Sequence, residues 1–126
     1  MKVGTYIMKL TITEDAKAKL RPYFEDQDAR VLLDFDDGVG PFSKVGVCSL
    51  NQAFQLVIVN KDEDLHDYDE NLTTELGDLY YKGYSDTYLD QVMQIKLNPQ
   101  NMTLRLVGNS SGELTPVLNL VDLRNK

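Results

Sequence analysis

Few side chains in this sequence are suited to chemistry: one cysteine, Cys48, one histidine, His66, and the carboxylates Asp34, Asp36 and Asp37 beside a glycine-rich stretch. A single thiolate cannot hold a metal cluster alone, and it closes no disulfide within one chain. Cys48 is expected as a small core side chain, because free cysteine is among the most buried residue types. Its functional use would need a homodimer that brings two Cys48 thiols together, with His66 or carboxylates completing a labile metal site. His66, set among acids, could be a metal ligand or a proton switch. A solvated loop residue is the favoured reading, since metal sites normally draw on several imidazole or thiolate ligands.

The run Asp67-x-Asp69-x-Asn71 has the spacing of the first three ligands of a calcium loop, but Leu72 stands where glycine makes the sharp turn and Asp78 replaces the bidentate glutamate. An exposed acidic loop is expected instead. Asp36-Asp37-Gly38-Val39-Gly40-Pro41 matches neither a Walker motif nor a dinucleotide fingerprint, and its aspartates repel phosphate, so it reads as a tight turn. Paired acids such as Asp34, Asp36 and Asp37 could divide general acid and base roles in a small hydrolase or isomerase. Ser43, Ser49, Ser85 and His66 form no nucleophile elbow. Tyr80, Tyr81, Tyr84 and Tyr88 cluster within one short stretch and suit either core packing or a protein contact, with alternation placing Tyr80 and Tyr81 on opposite sheet faces.

The chain has 126 residues, 42% hydrophobic and 26% charged, and is long enough for one domain with a continuous core. Its net charge is −7, with 20 acidic and 13 scattered basic residues, so no basic stripe exists to neutralise phosphates and nucleic acid is not an expected partner. The longest apolar runs, such as Leu56-Val57-Ile58-Val59, fall far short of the roughly 20 residues of a spanning helix. No membrane association and a cytoplasmic location are therefore expected.

The elements that must position these side chains are mostly strands. Residues 1–7 lack periodicity and read as an extension, with one domain over 8–126. Leu10-Thr11-Ile12 alternates as a strand, and Thr13 offers an N-cap to a helix with Ala16, Leu20 and Phe24 on one face and Pro22 limiting its length. Val31, Leu33 and Phe35 alternate, Val45 and Val47 resume the pattern, and Phe54 to Val59 is apolar on both faces as a central strand would be. Residues 60–76 read as a polar surface excursion with one helical turn, followed by a strand at Leu79-Tyr80-Tyr81 and a turn or short helix over 84–90. Met93 to Leu97 and Met102 to Leu106 form a hairpin through Asn98-Pro99-Gln100-Asn101. After the turn Asn109-Ser110-Ser111-Gly112, the strand Pro116 to Val121 closes the sheet, with Pro116 at its start. About seven strands and one helix result: a mainly β, α+β chain whose mixed or antiparallel sheet folds into a sandwich or half-barrel.

This layout resembles the iron–sulfur cluster biosynthesis family, the HesB/IscA-like or A-type carriers, from about Met8 to Leu123. Leu10-Thr11-Ile12-Thr13-Glu14-Asp15-Ala16 resembles the family's first strand and helix start, Val31 to Phe35 the strand entering its glycine-rich ligand loop, and Ser85-Asp86-Thr87-Tyr88-Leu89-Asp90 its Ser-x-x-x-Leu-Asp segment. The resemblance implies a HesB-like fold. It also implies ligand positions at Gly38, Val39 and Gly40 and at Ser110 and Ser111, but here the chain departs from the family. Val39 stands in place of the loop cysteine, and Ser110-Ser111-Gly112-Glu113 stands where a Cys-Gly-Cys pair is expected. Soft thiolates suit iron–sulfur clusters, and serine or valine does not replace them. The expectation is a non-enzymatic, cytosolic, protein-binding or accessory domain without a cofactor. The alternative is a residual iron or iron–sulfur carrier using Cys48 across a homodimer.

Overall fold

The alternation over 31–35 and the two-sided apolar run over 54–59 become the middle of a mixed sheet in a computed structural model that describes residues 8–35 and 54–124. In chain order the elements are β1 (Lys9–Ile12), α1 (Glu14–Glu25), β2 (Ala29–Phe35), β3 (Phe54–Asn60), β4 (Glu70–Thr73), β5 (Asp78–Tyr81), a 3-10 helix (Gly83–Tyr88), β6 (Val92–Leu97), β7 (Leu104–Gly108) and β8 (Gly112–Asp122). The sheet order is β1-β6-β7-β8-β3-β2-β5-β4, parallel at β1/β6, β3/β8 and β2/β5 and antiparallel elsewhere. Its two edge strands, β1 and β4, come into contact, so the sheet curls into a nearly closed, barrel-like shell. The Ile12 N–H at this seam donates to Glu75 Oε1 at 3.2 Å, giving an edge donor a partner. Mainly β with one N-terminal helix is therefore the architecture, as the residue pattern implied.

The shell is filled by one large cluster that includes Leu10, Leu20, Leu33, Leu56, Ile95 and Leu106. Helix α1 contributes Ala16 and Leu20, both fully buried, and burying a leucine of this kind stabilises by about 1.5–3 kcal/mol. On the other face of β2 and β3, Leu32, Val57, Val59 and Tyr68 form a second cluster. That is why β3 carries apolar residues at successive positions.

Several local expectations are corrected. The polar stretch 60–76 is more than an excursion, because it holds strand β4 and buries Tyr68 and Leu72 to 3% and 5% exposure. Tyr68 roofs the second cluster, which an exposed loop would leave wet. Pro22 lies inside α1 without ending it; Pro22 and Ala18, whose carbonyl loses its helical donor, both face solvent. Thr13 flanks α1 but its hydroxyl donates to Asp15 Oδ1 at 2.6 Å instead of capping the backbone. Met102 belongs to the β6–β7 turn, with φ 62 and an exposed side chain, so β7 starts at Leu104. Strand β8 starts at Gly112, not Pro116. Leu104 faces Leu118 but Leu106 faces Thr115, and Pro116 falls in that register break, where no ladder N–H is required of it. Residues 1–7, the turn with Gly38, Val39 and Gly40, the expected strand around Val45 and Val47, and Cys48 lie outside the described residues.

Candidate functional site

Period-two alternation turns Asp34 away from Leu33 and Phe35 and into the second cluster, the side of β2 that Leu32 also faces. Gln55 is its register partner on β3, and its amide Nε2 donates to Asp34 Oδ2 at 2.8 Å. The Tyr68 hydroxyl donates to Asp34 Oδ1 at 2.6 Å. Lys82 arrives from the end of β5, which runs parallel to β2 with Tyr81 opposite Leu33. Its Nζ lies 3.1 Å from Asp34 Oδ1, donates to the Phe35 carbonyl at 3.0 Å and sits 5.5 Å from the centre of the Tyr68 ring. Asp34 and Lys82 are both fully buried. A buried charge persists only when paired and hydrogen-bonded, and both conditions are met here. The pair ties the end of β5 to the point where β2 ends.

A second buried carboxylate is arranged differently. Asp90 follows the 3-10 helix and is 8% exposed. Its Oδ2 accepts the backbone N–H groups of Ser110 at 2.9 Å and Ser111 at 2.7 Å, and its Oδ1 accepts the Ser111 hydroxyl at 2.7 Å. Burial pushes its pKa up, but the bonds from Ser111 and Ser110 outweigh that and hold it below the ordinary carboxylate value, so Asp90 is ionised at neutral pH. Gly108 is required beside it, since a Cβ there would overlap the Asp90 carboxylate. The other members of the Ser-x-x-x-Leu-Asp segment are also structural. The Ser85 hydroxyl donates to the Lys82 carbonyl at 2.6 Å, and Leu89 is buried.

Between the 3-10 helix and the Ser110-Ser111 turn lies a pocket of about 280 Å³ lined by Phe54, Tyr88, Asp90, Ser111, Glu113 and Leu114, among others. The Tyr88 ring stacks on Phe35 with centroids 4.6 Å apart, and Phe35 meets Phe54 at 5.1 Å. Tyr88 and Ser111, far apart in sequence, are thus brought together, with Ser110 in the same turn. Tyr84 is on the same 3-10 helix and 52% exposed, while Tyr88 is 38% exposed. Tyr81 is packed in the main core, and half-buried Tyr80 lies on the opposite face with the Arg30 guanidinium 5.9 Å from its ring centre. His66 stands apart on an exposed loop, its Nδ1 2.9 Å from Asp64 Oδ1 and its Nε2 3.4 Å from Asp67 Oδ1. The hydrogen bond and charge of Asp64 raise the His66 pKa. Asp69 accepts the Gly83 N–H at 2.8 Å and Asn71 is in β4, so Asp67, Asp69 and Asn71 do not wrap a cation. Among the described residues, no three of His, Cys, Asp and Glu are grouped to hold a metal ion.

Sequence reasoning missed Lys82, Tyr68 and Gln55, and it quoted Asp90 without its role. The available signal was a lysine directly after the β-prone run Leu79-Tyr80-Tyr81 and an aspartate inside the apolar run Val31 to Phe35, two charges that strand pairing can bring together.

A mainly β, nearly closed shell with one N-terminal helix agrees with the half-barrel that the resemblance implied. The family model for iron–sulphur cluster biosynthesis matches residues 8–122, and the chain belongs to that family. Among solved structures it is similar to a candidate Fe–S biosynthesis protein from Lactobacillus salivarius, described as having a novel protein fold, with 52% identity over 94% of this chain and 100% of that one and a TM-score of 0.85. A candidate Fe–S biosynthesis protein from Lactobacillus acidophilus shares the fold at 19% identity, with a TM-score of 0.64 over 91% of this chain and 90% of that one. No curated protein matches the chain. The turn at Ser110 and Ser111 presents oxygen donors, and these do not fit an iron–sulfur cluster, whose iron is held by thiolates. No helix of the described residues is long and apolar enough to cross a membrane.

Proposed function

We propose that this chain is a non-enzymatic, cytoplasmic accessory member of the iron–sulphur cluster biosynthesis family that works by contact with another protein and holds no cluster of its own, with residues 8–126 as its working unit and 1–7 as an extension. The observation that carries this reading is the Ser110-Ser111 turn. It stands where the family resemblance expects a cysteine pair, yet Asp90 engages both backbone N–H groups and the Ser111 hydroxyl. An anionic carboxylate in that place favours N–H and O–H donors, not a soft metal centre. The non-enzymatic part is supported by Asp34, the one described member of the Asp34, Asp36 and Asp37 set, which is sealed against Lys82. Exposed Tyr84 and Tyr88 supply the aromatic area that protein contacts favour.

Anaerobic incubation with ferrous iron and sulfide, followed by desalting and absorbance spectroscopy, tests the proposal. The expected result is no visible-region chromophore. A chromophore lost on Cys48→Ala would instead establish a carrier using Cys48 across a homodimer, and a chromophore surviving that substitution would equally overturn the proposal.

A further inference from the structure

We infer that the pocket between the 3-10 helix and the Ser110-Ser111 turn receives an arginine side chain of a partner protein. This rests on the reading that the chain acts by protein contact, and it names what that contact recognises. Two of the described lining residues are the carboxylates Asp90 and Glu113, and none of the described ones is basic. Asp90 is held ionised by its three donors, and among the described residues its Oδ1 accepts from the Ser111 hydroxyl alone. Glu113 Oε2 takes the Arg105 guanidinium at 2.7 Å, while Oε1 has no partner among the described residues. Arg105, paired with Glu113 beside the pocket, already shows the kind of group that Glu113 binds.

The walls then select among cations. Phe35 stacks on Tyr88, whose ring remains 38% exposed, and Phe54 and Leu114 add apolar area. A planar guanidinium can lie on an aromatic face and still form forked hydrogen bonds to a carboxylate, whereas a hydrated metal ion gains nothing from such walls. A volume of about 280 Å³ leaves room for one guanidinium-bearing side chain. The net charge of −7 favours approach of a basic partner. The second cavity, lined by Tyr23, Asp26, Arg30 and Tyr80 among others, makes no comparable selection. Its described charged residues are already engaged, Asp26 with Arg124 at 2.8 Å, Asp78 with the Thr73 hydroxyl at 3.0 Å and Arg30 over Tyr80.

The test is a titration of the ¹⁵N-labelled full chain at low salt with the blocked peptide acetyl-Gly-Arg-Gly-amide, followed by amide shifts. Saturable shifts are expected at Tyr88, Ser111 and Glu113, several-fold weaker for the lysine peptide and absent for the neutral citrulline peptide. Glu113→Gln, at an exposed position with the fold checked by its own spectrum, should weaken binding about five-fold. Tyr88→Leu keeps apolar bulk but loses the π face and should weaken it by a similar factor. No saturation, an equal response to the citrulline peptide, shifts centred elsewhere, or displacement of the peptide by millimolar magnesium at these amides would overturn the inference. Its failure leaves the lack of cluster binding untouched, whereas a chromophore on reconstitution removes the functional reading whatever this pocket does.

Discussion

Asp34 and Asp90 are both buried carboxylates, one near the end of β2 and one just before β6, yet they are stabilised in opposite ways. Asp34 is neutralised by a buried lysine and roofed by Tyr68, so its charge ends inside the protein. Asp90 is held by backbone N–H groups and one hydroxyl, with no cation among the described residues, and lines an open pocket. Neutral donors stabilise a carboxylate without cancelling its charge, whereas an ion pair cancels it. The first arrangement serves the fold, and the second keeps a fixed anion where another molecule can meet it.

The comparison breaks most sharply at Lys82. Lys82→Met leaves Asp34 buried and uncompensated, which should cost about 3–5 kcal/mol in denaturant unfolding. Adding Asp34→Asn should recover part of that loss, because the amide still accepts from Tyr68 and no lone charge remains. If the single variant is as stable as the wild type, Asp34 is not the sealed group described. Asp90→Asn should cost less, about 1.5–3 kcal/mol, the worth of hydrogen bonds to a charged acceptor. Its pH dependence has a definite sign. Asp90 has a folded pKa below its unfolded value of 3.8, so its contribution is complete above 3.8 and fades as pH falls through the folded value. The stability gap between wild type and Asp90→Asn should therefore be flat at neutral pH and close in acid; a gap that widens in acid would contradict the assignment.

Gly108→Ala sharpens the same point sterically. The new methyl overlaps the Asp90 carboxylate and should cost about 1–3 kcal/mol, and that cost should shrink in an Asp90→Gly background. The smallest effect belongs to His66. Its exposed ring should titrate above the ordinary value of 6.5 by NMR and move back down in Asp64→Asn, with the melting temperature unchanged by that substitution. A titration at or below 6.5 in the wild type would remove the Asp64 contact.

The sheet was legible because Val31 to Phe35, Phe54 to Val59 and Met93 to Leu97 carry the period their burial requires, and the resemblance from Met8 to Leu123 was matched over 8–122. Strand β4 was not, because at this polar edge only Leu72 of four residues points inward. The Asp34–Lys82 pair was hidden for another reason. Its members lie on β2 and after β5, and only a parallel pairing between distant segments makes them neighbours. Ser110 and Ser111 were readable as a turn, but the group that holds them, Asp90, reaches them across the β6–β7 hairpin that separates them in the chain.

The turn expected to carry the family's cysteine pair is proposed to bind no iron in this protein. Anaerobic titration of the ¹⁵N-labelled chain with ferrous iron tests it residue by residue. The Ser110, Ser111 and Gly112 amides are expected to keep their positions and intensities; selective paramagnetic broadening of those three signals at stoichiometric iron would show that the turn binds the metal.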